Sequence, residues 1–352
     1  MNRRIFVTQW HCAAPFENQW REWNEADSPL RLWSESGSMT GGAPFPFGGA
    51  AFESVSNRAV AHFQLDNIAP TRLALCLVSS KPDFLAFQNG DWRMCDAPLV
   101  WWRERTGARG IGYTPVAACA SGAHALALGA QLLETNQADA VLCGGWEAPH
   151  SDFILAGYQS LGALSQGTMK PFDAARDGFV PQSGSALLLL ESEESATRRG
   201  MKSLATFSGH SMLSDATAMT TMQPSGDSIA RAIEGAVGSK EISYINAHGT
   251  ATKLNDVIET RGIRNVFGKA VPVSSTKPIT GHWLGAAGAL EAIIAVQSVR
   301  ENWLSPTLNT RSPDTDCDLD YILNAGKNTE VRAALSLSYG FGGHIGALVF
   351  EK

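Results

Sequence analysis

Short apolar runs alternate with segments of helical period along this chain. The runs at 72–78, 138–145 and 183–191 are almost entirely apolar and bounded by turn residues, so they predict buried strands. An Ala- and Leu-rich segment at 121–135 predicts a helix. Strands that alternate with helices predict a largely parallel sheet with helices on both faces.

The same rhythm returns in the second half, after a short helix at 195–201 that ends at Gly200. The other predicted helices are 51–66, 225–237, 254–264 and 284–300, the other strands are 4–9, 242–246, 271–275, 331–338 and 345–350, and a Gly- and Pro-rich loop is 34–50. Two halves of similar rhythm predict an internal structural duplication, although no sequence repeat is evident.

Turn residues and tryptophans set residues 79–112 apart. Two prolines and a glycine predict irregular structure there. The segment holds Trp92, Trp101 and Trp102, and the favoured interpretation of this group is a contact in the core or with another subunit. Residues 113–118, Y-T-P-V-A-A, follow as a predicted strand.

Composition limits the partners and the compartment. The chain has 352 residues, 44% of them hydrophobic, and a net charge of -6, which gives no reason to expect nucleic acid or an anionic membrane as partner. No run approaches the roughly 18 apolar residues of a membrane span. The six cysteines include no C-x-x-C pair and no Cys/His cluster with zinc spacing. We therefore expect no metal site and a cytoplasmic protein with free thiols.

The segment A-A-C-A-S-G-A surrounds Cys119 with small residues just before the predicted helix. Two interpretations are open, because the cysteine is either a small hydrophobe in a tight core or a nucleophile that a substrate can approach. In the second case the helix N-terminus favours the thiolate and lowers the pKa of the thiol. The backbone amide of Cys119 would then donate to a developing oxyanion.

A histidine follows another predicted strand in N-A-H-G-T-A-T. His248 is suited to proton transfer or to a hydrogen bond with a carbonyl, and a purely structural role is equally open. Thr250 and Thr252 are placed either to bind an extended ligand or to cap the next helix.

Two further Gly-rich turns complete the candidate set. Lys277 and His282 flank a turn, with Glu291 on the helix that follows, although Lys277 alone is typical of a surface lysine. G-A-A-G-A at 285–289 predicts that another backbone packs closely on this helix. G-F-G-G carries Phe341, either as a gate over a pocket or in a plain hairpin. One cysteine, two histidines and a lysine form the set that acyl transfer through a thioester requires.

Five stretches occur in family order and make the chain resemble the β-ketoacyl-acyl carrier protein synthases, the elongating condensing enzymes of the thiolase fold. They are A-C-A-S-G-A-H, K-P-F-D-A-A-R-D-G-F-V, N-A-H-G-T-A-T-K-L-N-D-V-I-E-T, S-S-T-K-P-I-T-G-H-W-L-G-A-A-G-A-L-E-A and Y-G-F-G-G. The resemblance implies an α/β, thiolase-like fold of two duplicated βαβαβαββ halves in a five-layered α-β-α-β-α core. The nucleophile would lie in the half 1–195 and the histidine pair in the half 196–352.

The resemblance implies roles for the matching residues. Cys119 would be the nucleophile that receives the acyl chain. His248 and His282 would hydrogen-bond the malonyl thioester carbonyl while CO2 leaves. Lys277 would support the histidines electrostatically, and Glu291 would hold the network.

The remaining matches concern the walls of the site. The amides of Cys119 and Phe341 would form the oxyanion hole, with Phe341 as gate in a turn that includes Gly340 and Gly342. Thr250 and Thr252 would hold pantetheine. Asp256 and Glu259 would be structural salt-bridge partners near Lys277.

The activity that the resemblance implies is decarboxylative Claisen condensation of malonyl-acyl carrier protein with a cysteine-bound acyl chain. The pathway would be fatty acid or type II polyketide biosynthesis. No diffusible cofactor is expected, because the phosphopantetheine of the acyl carrier protein carries the substrates. The expected partners are that carrier and a second subunit, in a homodimer or in a heterodimer with a ketosynthase-like chain.

The chain also departs from the family. The region before Cys119 is shorter than usual, Leu337 and Ile345 stand where asparagines are common, and His344 and Pro278 are atypical. These departures favour an alternative, a weakly active or non-catalytic subunit like the chain-length factors, although such subunits usually lack the cysteine. A degradative thiolase or an initiating synthase that uses coenzyme A is a third hypothesis. It fits less well, because the last segment has no second cysteine and two histidines are present.

Overall fold

The computed structural model describes residues 3–16, 19–24, 57–88, 90–147 and 151–352. The loop predicted over 34–50 and the first part of the helix predicted over 51–66 lie outside the described residues. Residues 57–62 are helical, as predicted.

Thirteen strands occur in the described ranges, and eleven of them form one sheet. These eleven are β1 (Ile5–Phe16), β2 (Gln19–Asn24), β3 (Leu73–Val78), β4 (Gly112–Tyr113), β5 (Ala140–Glu147), β6 (Gly184–Ser192), β7 (Ala205–Ser214), β8 (Tyr244–Asn246), β9 (Val273–Ser274), β12 (Ala333–Gly340) and β13 (His344–Glu351). The other two pair with each other and are β10 (Trp303–Leu304) and β11 (Lys327–Asn328).

Nine helices with defined bounds accompany the strands in the described residues. They are α1 (Phe84–Gln88), α2 (Ala97–Thr106), α3 (Ser121–Glu134), α4 (Asp152–Ser160), α5 (Glu193–Arg199), α6 (Asp227–Val237), α7 (Lys253–Phe267), α8 (Lys277–Thr280) and α9 (Ala287–Glu301). Short 3-10 turns occur at Pro70–Arg72, Ala118–Ala120 and Leu284–Ala286.

The strand order repeats from one half of the sheet to the other. The sheet runs β4-β3-β5-β6-β1 and continues β7-β13-β12-β8-β9, with β2 paired only to β1. Leaving out β2, β10 and β11, and counting inward from the outer edge of the sheet, each half places its third, second, fourth, fifth and first strands side by side. The directions match as well, since β3 is parallel to both neighbours and so is β8, while β6 and β13 are antiparallel to theirs. The predicted structural duplication is therefore confirmed.

Helices cover the outer faces of both half-sheets and fill the space between them. The central helices α3 and α9 contact strands of both halves. On one outer face α6 packs on β7 and β13, and on the other α2 packs on β3. Separate apolar cores lie around the central helices, beneath α6 and α7, and beneath α2. This order of layers confirms the five-layered α/β fold.

The two central helices touch backbone to backbone near their N-termini. A Cβ atom on Gly122 would lie 2.8 Å from the amide nitrogen of Ala289, and one on Gly288 would lie 2.7 Å from that of Ala123. These separations are too short for any side chain, so glycine is required at both positions. The close packing predicted from G-A-A-G-A is confirmed.

Several elements differ from the sequence predictions. The strand predicted over 113–118 is reduced to Gly112–Tyr113. Within the supposedly irregular segment, Ala97–Thr106 forms a helix, because Pro98 lies in its first turn, where the missing amide hydrogen costs nothing. β7 and α4 are not predicted at all. β7 escapes detection because small and polar residues interrupt its apolar positions.

The tryptophans of this segment have different surroundings. Trp102 is 3% exposed and packs in the core beneath α2, where its ring lies 6.0 Å from that of Phe63. The guanidinium of Arg105 lies over the ring of Trp101, with its Cζ atom 4.3 Å from the ring centroid. Trp92 is 75% exposed. The core contact is therefore confirmed for Trp102, and the alternative, a contact with another subunit, stays a prediction for Trp92.

Other expectations concern the whole chain. No helix of the described residues is long and apolar enough to cross a membrane. Those residues contain no group of three or more His, Cys, Asp or Glu side chains that could hold a metal ion. All six cysteines are unpaired, in line with the predicted free thiols. The division of the chain into 1–195 and 196–352 stays a prediction.

Candidate active site

The predicted reactive residues meet at one cavity of about 550 Å³. The predicted residues that line it are Cys119, His248, Thr250, Thr252, His282, Gly340 and Phe341. Lys277 and Glu291 are buried next to His248. Gly342 does not line the cavity, and its amide donates to the carbonyl of Met219 at 2.7 Å.

Cys119 lies in a tight turn that leads into α3. Ala118 before it has a φ of +48°, a conformation that costs a non-glycine residue about 1–3 kcal/mol and requires support from its surroundings. Ser121 braces the turn, since its hydroxyl accepts from the Ala117 amide at 2.8 Å and donates to the Ala118 carbonyl at 2.6 Å. A Cβ on Gly340 would lie 2.4 Å from the Ala117 carbonyl, so glycine is needed there as well.

The expectation that the helix start lowers the pKa of Cys119 is wrong. Burial raises the pKa of this thiol to about 12, and the negative charge of Glu147 adds to the increase. Lys277 acts in the opposite direction, but its effect is smaller. At neutral pH the sulfur therefore carries its proton, and a nucleophilic step has to remove that proton in the presence of substrate.

Lys277 contacts His248 at its ring Nδ1 and at its backbone carbonyl. The ammonium of Lys277 has three N–H donors and no acceptor. It faces three acceptors, which are Glu291 Oε1, the His248 carbonyl oxygen and, at 3.3 Å, His248 Nδ1. Because Nδ1 accepts, the imidazole proton lies on Nε2, where it can be donated to a ligand in the cavity. Burial, then Lys277 and His282, keeps the pKa of His248 well below its ordinary value, so the ring is neutral.

His282 completes a perpendicular pair with His248. Their ring centroids are 5.4 Å apart, with an angle of 83° between the planes. The backbone of His282 is hydrogen-bonded to an adjacent segment of the same chain. Its amide donates to the Val180 carbonyl at 2.8 Å, and its carbonyl accepts from the Gln182 amide at 2.9 Å. Phe179 packs edge-on against its ring at 5.0 Å. The neutral imidazole of His248 and the ring of His282 thus line the same cavity as the thiol.

Lys277 and Glu291 form a buried ion pair, with side-chain exposures of 1% and 3%. Burial raises the pKa of Glu291 to about 7, while Lys277 lowers it. Burial therefore disfavours the charged form of Glu291, and the ammonium of Lys277 only partly compensates for the lost solvation. Lys277 is not the surface lysine that its local sequence allows.

Of the two salt bridges predicted near Lys277, that of Asp256 is present and has Arg176 as its partner, whereas Glu259 binds backbone amides. Asp256 accepts from the Phe172 amide at 2.8 Å and lies 3.9 Å from the Arg176 guanidinium. Glu259 instead accepts the backbone amides of His248 and Gly249, at 2.7 and 2.8 Å. Both carboxylates hold backbone in place, and Lys277 pairs with Glu291.

The two threonines lie at the mouth of the cavity, ahead of α7. Their hydroxyl oxygens are 3.0 Å apart. Thr252 is the N-cap residue of α7, but its side chain makes no capping hydrogen bond. Its hydroxyl instead forms a hydrogen bond with the Thr250 hydroxyl, and the contact of this pair with pantetheine stays a prediction.

The G-F-G-G turn connects β12 to β13 as a hairpin and also forms a wall of the cavity. Gly340 pairs with His344 across the hairpin, and Phe341 lines the cavity. Leu337 and Ile345, the two departures from the family pattern, are fully buried in the core beneath α6 and α7. They add apolar packing behind the turn.

Sequence reasoning missed several residues of the site, and three of them contact or act on the reactive side chains. Tyr339 lines the cavity, and its ring lies 5.3 Å from that of His248. Phe179 is a second aromatic wall. Glu147 is fully buried at the end of β5 and acts on the thiol of Cys119. The signal for Glu147 is available in the sequence, because an acidic residue at the end of an apolar strand is unusual.

Comparisons with known proteins agree with this geometry. The Beta-ketoacyl synthase N-terminal domain matches residues 104–196, and the Beta-ketoacyl synthase C-terminal domain matches residues 204–311. The 3-oxoacyl-[acyl-carrier-protein] synthase 2 of Staphylococcus aureus (strain COL) is 38% identical over 259 residues, which are 70% of this chain and 63% of that protein. The protein of the same name from Synechocystis is 42% identical over 260 residues, 70% of this chain and 62% of that protein. These matches thus span less than two thirds of the relatives' length.

Solved structures extend the likeness to the whole chain. A chain of the AntDE:AntF assembly, a type II PKS acyl-carrier protein in complex with its ketosynthase bound to the hexaketide, superposes with a TM-score of 0.88 at 25% identity and full coverage of both chains. A beta-ketoacyl synthase from Burkholderia phymatum STM815 gives a TM-score of 0.86 at 26% identity over 99% of each chain. On the matched domains, the sequence identity and the shared fold, this chain belongs to the beta-ketoacyl synthase family.

Proposed function

We propose that the protein is an active β-ketoacyl-acyl carrier protein synthase. It would condense malonyl-acyl carrier protein with an acyl chain held on Cys119, in fatty acid or type II polyketide biosynthesis. The observation that carries the proposal is the common cavity of Cys119, His248 and His282, backed by the ion pair of Lys277 and Glu291. A thiol, a pair of imidazoles and a buried charge are the components that thioester exchange and enolate stabilisation need.

The first step is transfer of the acyl group to the enzyme. The sulfur of Cys119 attacks the thioester carbonyl carbon, and the bond from that carbon to the pantetheine sulfur breaks. The thiol proton passes through a neutral histidine of the cavity to the departing pantetheine sulfur, so no charge is left behind. The Cys119 and Phe341 amides would bind the oxyanion of the tetrahedral intermediate.

The second step forms the new carbon–carbon bond. The malonyl group loses CO2, and the bonding electrons remain on the thioester as an enolate. The Nε2–H of His248, together with His282, would donate to the enolate oxygen. The enolate carbon attacks the acyl carbonyl carbon on Cys119, the carbon–sulfur bond breaks, and the Cys119 thiolate that leaves takes up one proton from water to restore the thiol.

This reaction uses the carrier's phosphopantetheine as the substrate arm and needs no diffusible cofactor. Thr250 and Thr252 lie where the arm would enter, and Lys253 beside them adds a positive charge to the same mouth. We also propose that the nucleophile comes from a structural half at 1–195 and the histidines from a half at 196–352. A cytoplasmic location agrees with the unpaired thiols.

A covalent acyl adduct tests the proposal directly. The protein is incubated with a hexanoyl-acyl carrier protein and then analysed by intact mass and peptide mapping. We expect one acyl group on Cys119, none in Cys119→Ala, and normal loading in Cys95→Ala, which removes a cysteine outside the cavity. Absence of an adduct on the wild-type chain, alone or with a partner subunit, would contradict the proposed function.

A second subunit is part of the proposal. Exposed apolar side chains lie on and around the segment that includes the edge strand β4, and they are Trp92, Met94, Val100, Tyr113, Val116 and Phe153. An edge strand with apolar surroundings is a typical place for pairing with another chain. Native mass of the purified protein distinguishes an active homodimer from the alternative, a chain-length-factor-like subunit that is inactive without a ketosynthase.

A further inference from the structure

A second buried ion pair lies beside the nucleophile, outside the residues that the proposed reaction uses. Glu147 has no exposed side-chain surface and pairs with Lys81, whose side chain is 11% exposed. The carboxylate also accepts a hydrogen bond from the Ser80 hydroxyl at 2.7 Å and one from the Gly285 amide at 2.9 Å. It therefore joins three segments that are far apart in the sequence.

The Gly285 amide belongs to the turn that follows His282. Leu284 in this turn has a φ of +40°, which is strained for a branched residue and persists only when neighbouring groups hold it. Glu147 stabilises this conformation, because it accepts a hydrogen bond from the amide of the next residue, Gly285. Leu284 belongs to the same buried apolar cluster as Cys119, so the turn and the nucleophile share one packing environment.

The charge of Glu147 also reaches the sulfur. Burial is the main reason that the pKa of Cys119 is raised, and the charge of Glu147 is the next. Tyr158 lies in the same field, since burial first and then Cys119 and Glu147 raise the pKa of its phenol. The other titratable or charged groups that act on the sulfur or line its cavity are Lys277, Glu291, His248, His282, Asp177, Lys253 and Tyr339.

We propose that Glu147, paired with Lys81, is a positioning residue of the site. It fixes the strained turn that connects His282 to α9, and it places a negative charge next to Cys119. The mechanistic meaning of this inference rests on the proposed function, in which Cys119 is the nucleophile. The inference itself concerns the state of the thiol and the turn, which can be measured without any turnover.

The first experiment measures the charge. Glu147→Gln keeps an oxygen for the Gly285 amide but removes the negative charge. Alkylation of Cys119 by iodoacetamide is followed by peptide mass spectrometry between pH 7 and pH 11. We expect the profile to move to lower pH, with alkylation at pH 8 about three to ten times faster, because each pKa unit changes the thiolate fraction about tenfold.

Glu191→Gln is the matched control. Glu191 is an equally buried carboxylate that pairs with Arg199 and accepts from Thr8 at 2.7 Å, away from the cavity. It should leave the alkylation profile of Cys119 unchanged. An unchanged profile in Glu147→Gln, or an equal shift in both variants, overturns the inference.

The second experiment measures the turn. Glu147→Ala removes the acceptor of the Gly285 amide as well as the charge. Decarboxylation of malonyl-acyl carrier protein, which depends on the histidine pair, should fall at least tenfold in Glu147→Ala but stay within threefold in Glu147→Gln. Wild-type rates in both variants would refute the positioning role. A wild-type protein without decarboxylation would refute the proposed function instead, and the alkylation profiles would still decide the inference.

Discussion

The ion pair of Lys277 and Glu291 predicts a stability change with an unusual dependence on pH. Lys277→Met removes the ammonium and leaves a carboxyl group whose side chain is only 3% exposed. Loss of one partner of a buried pair costs about 3–5 kcal/mol, because the remaining charge has no compensation. We expect the loss in the free energy of unfolding to approach this size only above about pH 9.

The same loss should disappear in acid. Burial raises the pKa of Glu291 to about 7, above its ordinary value, so the folded protein binds a proton that the unfolded chain has released. Stability attributable to the neutral carboxyl is therefore present at low pH and is lost as the pH rises through the folded pKa. Without Lys277 the pKa of Glu291 rises further. The free energy of unfolding of the variant therefore decreases relative to the wild type by about 1.4 kcal/mol per pH unit above pH 7, until the full loss is reached. Near pH 5 both proteins hold a neutral Glu291 and should differ little.

Urea unfolding followed by tryptophan fluorescence at pH 5, 7 and 9 measures these differences. The double variant Lys277→Met, Glu291→Leu should recover most of the stability, because an apolar pair of similar volume needs no solvation. Lys269→Met is the surface control, since that ammonium is 59% exposed and its pair with Asp318 contributes at most about 1 kcal/mol. A loss in Lys277→Met that is the same at pH 5 and pH 9 would refute the reasoning.

Three further predictions follow from the described contacts. With a pKa of about 12, Cys119 should react with iodoacetamide about tenfold faster for each pH unit between pH 8 and pH 10, and a plateau reached below pH 8 would show that the thiol is not held protonated. Gly288→Ala should lower the free energy of unfolding by about 1–3 kcal/mol, because its Cβ would lie 2.7 Å from the Ala123 amide, whereas Gly167→Ala meets no atom within 4 Å and should be neutral in the same urea titration. Leu337→Asn should lower the free energy of unfolding by about 2–4 kcal/mol, since it buries an amide among apolar side chains. Leu254→Asn, at a position 63% exposed, should change it by less than about 0.5 kcal/mol. Equal effects of the two would contradict the buried position of Leu337.

The apolar strands show why much of the fold follows from sequence. β3, β5 and β6 are buried over their whole length, so their composition alone marks them. β7 is buried only in part, and its pattern of small and polar residues looks like a loop. The helix Ala97–Thr106 is missed for another reason, because a proline stops a helix in its interior but is favoured in its first turn.

The residues of the site are likewise predictable from sequence only in part. Family motifs identify Cys119, His248 and Lys277, because each occurs with characteristic neighbours in sequence. The pKa of the thiol cannot be found from those neighbours. It depends on how deeply the sulfur is buried and on a carboxylate 28 positions along the chain, Glu147, which the sheet brings next to it. Pairing of Glu291 with Lys277 is likewise a product of the packing of α9.

The glycine contacts between α3 and α9 have a practical consequence for anyone who redesigns this protein. Cys119 stands at the start of one helix and His282 just ahead of the other, so the spacing of thiol and imidazole depends on rigid main-chain contact at Gly122 and Gly288. Side chains can adapt to a small shift, but two backbones in direct contact cannot. Changes in substrate range should therefore be sought in the loops at the cavity mouth, with this junction left untouched.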